Sequence, residues 1–220
     1  MVSKFVKEII IAAKSGANPD GNPRLRAAIE AAKKGSVTRD TLERAIKKGS
    51  GQLDDGVVLE TITYEGFAPH QVPVIVECLT DNRNRTAADI RGAFRKGQLG
   101  SNGSVAWMFK RAGIVEGLFP KTGIDLEGLA IEAGAQDVRP LQGSDVPAGQ
   151  TGATFETNVE DLVKVSQALT AMGWTLSVSE LSWVAKELVE VGDAQRIEVV
   201  DFLNELDDHD DVHRVYTALA

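Results

Sequence analysis

Apolar residues recur at helical spacing through the first fifty positions. Phe5, Ile9, Ala12 and Ala13 fall on one face of "SKFVKEIIIAAK", with Val6 and Ile10 beside them. "GANPDGNP" ends that pattern. Asn22 then offers an N-cap, and Pro23 suits the first helical position. Leu25, Ala28, Ile29 and Ala32 make the stripe of a second helix, which Gly35 stops. Thr38 is the next cap, Asp40 complements the first turn, and Leu42, Ala45 and Ile46 form a third stripe that closes at Gly49. Three short helices with separate stripes bury them only against one another.

After "GQLDDG" the period changes. "VVLETITYEG" and "QVPVIVECLT" predict two strands, with residues 66–69 turning between them. "TAADIRGAFRK" predicts a helix with Ala87, Ile90 and Phe94 inward. A turn in "GQLGSNG" leads to a strand in "SVAWMFK" and another in "AGIVEGL", joined tightly through residues 110–113. A second set follows. "DLEGLAIEAG" is helical, "DVRPLQG" and "GATFETNV" are strands, and Val159, Leu162, Val165, Leu169 and Met172 mark a strong helix. "WTLSVSELSWVA" is extended. The end of the chain reads as a helix with Ile197, Val200 and Leu203 inward, then an acidic turn and a terminal strand.

The middle strands have one helix where a small α/β sandwich needs two, and the last helix and strand have no sheet of their own. The economical arrangement returns residues 186–220 to the middle. The expected fold is therefore α+β with three domains. Residues 1–51 form an all-α basic domain. Residues 52–118 plus 186–220 form a discontinuous α/β domain, and residues 119–185 an inserted acidic α/β domain. The two α/β domains are expected to be ferredoxin-like sandwiches.

The formal net charge of the 220 residues is −8, which by itself argues against a nucleic-acid partner. Its distribution reverses that impression. Residues 1–51 hold 11 Lys+Arg against 5 Asp+Glu, a net of +6. Residues 52–118 hold 7 against 8, and residues 119–220 hold 6 against 19, a net of −13. Such asymmetry suits a basic working end and an acidic, solubilising one. No apolar run approaches the roughly 18 residues of a membrane span. The opening segment reads as an amphipathic helix, not a signal peptide. Cys78 is the one cysteine and sits in an apolar run, so a reducing, cytoplasmic setting is expected.

The most informative chemistry lies in "TDNRNRT", residues 80–86, between the second strand and its helix. Free N–H groups at a helix start favour anions, and Arg83 and Arg85 add planar forks that match a phosphate. Asn82 and Asn84 serve as turn formers or neutral hydrogen-bonding groups. Arg91 and Arg95 lie four apart on the polar face of the same helix. One reading is a phosphate-binding surface. The other is a capped loop whose arginines pair with Asp81, Asp89 or acids of the third domain. In the basic end, Arg24 and Arg26 lie on the second helix and Arg39, Arg44, Lys47 and Lys48 on the third. That pair of helices permits a helix-turn-helix, with backbone contact expected more than base reading.

Other motifs fail. "GQLGSNGS" lacks the Gly-Lys-Ser/Thr of a P-loop. His70, His209 and His213 are scattered, and the acids around the last two read as a solvated turn. Trp107, Trp174 and Trp183 read as strand residues in a core or interface, with base stacking as the alternative. No catalytic constellation, metal site or cofactor motif is expected.

"NPRLRAAIEAAK", "TLERAIKKGSG", "YEGFAP", "VIVECLTDNRNRTAADIR", "GSVAWMF" and "VHRVYTAL" together resemble the YebC/PmpR family across essentially the whole chain. The resemblance implies three domains: an all-α one and two α/β ones, the middle built from two segments. Members are described as transcriptional regulators, and a mitochondrial relative activates translation of a cytochrome oxidase subunit. Members usually begin with a further basic stretch, expected to add nucleic-acid contact. The implied function is a non-enzymatic transcriptional regulatory protein that binds DNA. The alternative is a translation factor on the ribosome or mRNA, and a third class is a protein–protein adaptor. A monomer is favoured, with no membrane partner.

Overall fold

The structure is a computed structural model that describes residues 2–53, 56, 59–141 and 146–220. Helices α1 (Val2–Ala13), α2 (Pro23–Lys34) and α3 (Arg39–Gly49) open the chain. Both expected caps form. The Asn22 Oδ1 accepts the Leu25 N–H at 3.0 Å, and the Thr38 Oγ1 accepts the Thr41 N–H at 3.4 Å. Ile9, Ala12 and Ala13 on α1 are buried, as are Leu42 and Ala45 on α3. Gly49 also permits the close approach of α3 to α1, because a Cβ there would collide with the Ile10 carbonyl.

By its internal packing the chain divides into two compact units. One holds Met1–Ala17, Ala28–Lys110 and Trp183–Ala220; the other holds Asn18–Ala27 and Arg111–Ser182. In the first unit, β1 (Glu60–Phe67), β2 (Pro73–Thr80), the two-residue β3 (Gln98–Leu99) and β8 (Val212–Thr217) form a sheet in the order β3-β1-β2-β8. All its pairings are antiparallel. Helices α4 (Arg83–Ala93) and α7 (Asp193–Asp207) share one core with it.

Strand β2 explains its own composition. Val74, Val76 and Cys78 point toward Ile90 and Phe94 of the α4 segment and Val199, Phe202 and Leu206 of α7. Ile75 points the other way, into a cluster with Val105, Phe109 and Ala218. A strand covered on both faces needs apolar residues at successive positions, so strict alternation is lost. Burial pushes the Cys78 thiol up to about 12, which makes it an inert core residue.

In the second unit the sheet order is β5-β6-β4-β7, from β4 (Phe109–Phe119), β5 (Asp137–Pro140), β6 (Thr151–Thr157) and β7 (Thr175–Ala185). Helices α5 (Leu126–Ala133) and α6 (Leu162–Ala171) pack on it around Phe155, Val165, Leu169 and Trp174. The architecture is thus mixed α and β with two antiparallel sheets.

Several local expectations need correction. The first reversal does not lie at residues 66–69. Strand β1 continues to Phe67, and the chain turns at Pro69–Gln71, with His70 and Gln71 at positive φ. Val57 and Val58 of the expected first strand lie outside the described residues, as do residues 142 and 143 of "DVRPLQG". "SVAWMFK" is not one strand: Ala106–Met108 is a 3-10 turn, and β4 runs unbroken through the joint expected at residues 110–113. The Glu65 carboxylate causes this bend, because it accepts the N–H groups of Gly103, Val105 and Ala106. On α7 the buried stripe is Val199, Phe202 and Leu206, while Ile197 and Val200 face solvent. Both stripes hold the 3–4 spacing. The ring of Phe202, edge-on to Phe94 at 5.3 Å, selects the first. Val159 on the 3-10 turn before α6 is also exposed.

Candidate nucleic-acid interface

Strand β2 ends in Thr80, whose hydroxyl accepts the Asn82 N–H at 2.8 Å. Asn82 leaves the extended region at φ −142° and ψ 94° and caps α4, its Oδ1 accepting the Arg85 N–H at 3.1 Å. The helix therefore starts at Arg83, three residues before the expected Thr86. The arginines lie within its first turn. The N–H groups of Arg83 and Asn84 have no acceptor available inside the helix, and they sit at its positive end.

The two arginines of this turn have different roles. Arg85, its side chain 48% exposed, donates to the buried Asp211 carboxylate at 3.0 Å and to Asp81 at 2.9 Å. Asp211 is 4% exposed and also accepts from the Thr86 hydroxyl at 2.8 Å and from the Lys7 ammonium at 2.9 Å. Its own carbonyl accepts the Leu79 N–H. Burial alone would raise the Asp211 carboxyl, but the bonds from Lys7, Thr86 and Arg85 outweigh it and hold the group at about 2. The Asp211 bond, with that to Asp81, raises the Arg85 guanidinium above its ordinary value. The acidic run before β8 is thus not wholly solvated. One of its acids is a buried tie between α1, α4 and β8. Arg85 therefore follows the ion-pair reading, with Asp81 as foreseen and with Asp211 in place of Asp89 or a third-domain acid.

Arg83 points outward. Its side chain is 70% exposed, and the Glu60 carboxylate is 3.5 Å away. Asn84, Ala88, Arg91 and Arg95 are all exposed and recur at helical spacing, so they share one solvent face of the α4 segment. Among the described residues, Arg91 and Arg95 form no ion pair. Lys96 beside them is held by Glu205 at 2.8 Å. The face thus presents the guanidinium groups of Arg91 and Arg95 with Asn84 as a neutral donor and acceptor, while Arg83 stands at the helix start and borders a groove with Thr61 and Thr63 of β1.

The basic residues of the helical end are partly neutralised. Arg39 pairs with Glu43 at 2.9 Å on α3. Arg44 and Lys48 border a shallow groove of about 230 Å³ with Val6, Ile10 and Leu53, and Lys47 is exposed. Arg24 lies 3.7 Å from Glu180, and Arg26 donates to the Asp20 carbonyl at 3.0 Å. These last two belong to the second unit, apart from the α3 and α4 residues of the first.

Sequence reasoning missed two residues that shape the site. Asp211 is one. Glu65 is the other. It is 7% exposed, and although burial pushes its carboxyl up, its three backbone N–H donors hold it below the ordinary carboxylate value. It fixes the loop that leads to Trp107, which is 65% exposed on its 3-10 turn and neither in a strand nor in a core. Of the other tryptophans, Trp174 is buried, and the Trp183 indole N–H donates to Glu77 at 3.1 Å. His209 and His213 face Asp89 and Glu8 respectively. Among the described residues no cluster of His, Cys, Asp and Glu has the make-up of a metal site, and no helix is long and apolar enough to cross a membrane.

The comparisons with known proteins agree with one another. Residues 1–52 match the model of the TACO1/YebC protein N-terminal domain, and residues 59–219 that of the TACO1/YebC second and third domain. A protein of Bdellovibrio bacteriovorus named "Probable transcriptional regulatory protein" is 50% identical over 99% of this chain and 91% of its own length. One of the same name from Pseudomonas syringae pv. syringae is 52% identical over 99% and 90%. The crystal structure of a conserved hypothetical protein from Aquifex aeolicus superposes with a TM-score of 0.80 at 37% identity, covering 99% of this chain and 88% of that one. The chain belongs to the TACO1/YebC family.

Proposed function

We propose that this protein regulates gene expression by binding nucleic acid without catalysis, and that the exposed face of α4 is its principal contact. The observation that carries this is the set of exposed guanidinium groups along α4 and the 3-10 turn after it: Arg83 at the helix start, Arg91 in the last turn and Arg95 just beyond. Guanidinium groups keep their charge at any physiological pH and hold phosphate oxygens by paired hydrogen bonds. Asn82 and Arg85 contribute by fixing the helix start, and Asn84 by direct hydrogen bonding. The basic residues of α2 and α3 add long-range attraction. The names of the relatives support a role in transcriptional regulation.

A second reading is a translation factor on the ribosome. The net of −13 in residues 119–220 favours it, since so acidic a segment is repelled by bare duplex but accepted by a partner that also presents protein. One experiment separates them. The full chain is offered a promoter-containing duplex in a retardation assay and ribosomes in co-sedimentation, each with and without nuclease. Retardation without co-sedimentation supports the DNA reading, and the reverse supports the ribosomal one. Capture of partners that is indifferent to nuclease overturns both.

A further inference from the structure

Trp107 stands out among the exposed large apolar residues described, as the one aromatic. It is not loosely placed. Its indole N–H donates to the Ser104 carbonyl at 3.1 Å, and its own carbonyl accepts the Lys186 ammonium at 2.7 Å. The turn beneath it closes through the Met108 N–H and the Val105 carbonyl at 2.8 Å. The loop before it is pinned by the three N–H bonds to Glu65. The indole's one polar atom is therefore used internally, and what it presents to solvent is aromatic surface on a fixed mount, with a lysine tied to the same residue.

The residue before it, Ala106, borders a groove of about 360 Å³ lined also by Thr61, Thr63, Arg83, Asn102, Trp183 and the Glu65 carboxylate, whose oxygens already accept the three backbone N–H groups. A guanidinium, an amide and two hydroxyls thus line a groove bordered by the residue that precedes the rigid, exposed ring. We infer that Trp107 is a stacking platform for an unpaired base, and that this chain takes single-stranded or looped nucleic acid in preference to a continuous duplex. The chemistry follows from the geometry. A base already stacked in a duplex offers no free face, whereas a splayed one is held by an aromatic ring while a neighbouring arginine takes its phosphate. Asn102 is placed to meet a base edge, as an amide carries both donor and acceptor. The inference rests on the nucleic-acid function proposed above and adds the class of strand.

The test uses the full chain and three fluorescent probes of about 12 nucleotides: oligo-U, oligo-dT, and a mixed-sequence duplex. Trp107→Ala is expected to weaken binding of both single strands by about 5- to 150-fold, the range for loss of one stacked base, with a smaller loss on the duplex. Trp107→Phe is expected to recover most of the lost affinity. A preference for oligo-U over oligo-dT in the wild type would assign the site to RNA, and the reverse to DNA, either being consistent with the proposal. Equal affinity of wild type and Trp107→Ala for single strands, with binding intact, overturns the stacking role and leaves the broader function standing. An equal loss on all three probes also overturns it. Failure of the wild type to bind any probe overturns both.

Discussion

Arg85 and Asp211 are 126 positions apart in sequence and joined at 3.0 Å in space. One lies in the first turn of α4, after β2, and the other precedes β8, which pairs with the same strand. With Lys7 and Thr86 they close a charge cluster around a buried carboxylate, and it ties the chain's first helix to its last strand. The exposed arginines are mounted on this tie, so the holding and the binding duties fall on neighbouring residues.

Asp211 makes stability depend on acid. Its carboxyl is held at about 2 against an ordinary 3.8. A depressed carboxylate contributes stability that is complete above pH 4 and is lost as pH falls through the folded value. The amount is on the order of 2 kcal/mol. Asp211→Asn is expected to lower stability at neutral pH and to flatten its pH dependence between about pH 4 and pH 2. Urea melts of both proteins across that window check the difference in slope. Equal slopes would remove Asp211 from the account.

Arg83 and Arg85 are expected to part company on mutation. Arg83→Ala leaves the melting temperature nearly unchanged, as exposed substitutions cost within about 0.5 kcal/mol. Arg85→Ala removes one of the two charged partners of the buried Asp211 carboxylate, leaving Lys7 and Thr86, and lowers the melting temperature more than Arg83→Ala does. Thermal melts of the two single variants, side by side, decide it.

Phe202 joins the C-terminal segment to the sheet of the first unit. It is fully buried and meets Phe94 edge-on. Phe202→Ala is expected to cost about 3–5 kcal/mol. A chain ending at residue 185 would lack β8 and α7 altogether, and its remaining sheet is expected not to melt cooperatively. A cooperative transition in circular dichroism for that fragment would count against the role given to the returning segment.

What could be read from the sequence, and what could not, follows the range of the interactions involved. The caps at Asn22 and Thr38 act within three residues, and both were visible in the chain. The strand β2 announced itself because burial on two faces leaves an apolar run. Asp211 gave no sign. Within "DDHDD" it is chemically identical to its solvated neighbours, and its partners lie 126 and 204 positions away. Trp107 misled for a related reason. The apolar run in "SVAWMF" reads as a strand, but Glu65, some forty positions earlier, captures the backbone and bends it into a 3-10 turn that leaves the ring exposed. The α7 stripe was ambiguous because two sets of positions fit one helical period, and only the facing ring of Phe94 distinguishes them. The arginines of the α4 segment were visible in the chain, but the tie of Arg85 to Asp211 was not.

Salt provides a general check on the binding mode. If phosphate contact dominates, log affinity falls linearly with log salt, by about 0.9 per phosphate neutralised on a duplex and about 0.7 on a single strand. Affinities measured at several salt concentrations give the number of contacts. A flat response would point to a protein partner.

Arg83, Arg91 and Arg95 are proposed to bind, while Arg85 holds the buried Asp211 carboxylate. The most direct measurement is the nucleic-acid affinity of Arg83→Ala/Arg91→Ala/Arg95→Ala, taken with its melting temperature. The account predicts an unchanged melt, a large loss of affinity and a salt slope reduced by up to about 3 contacts' worth. A variant that melts like the wild type and still binds with wild-type affinity and salt slope would contradict it.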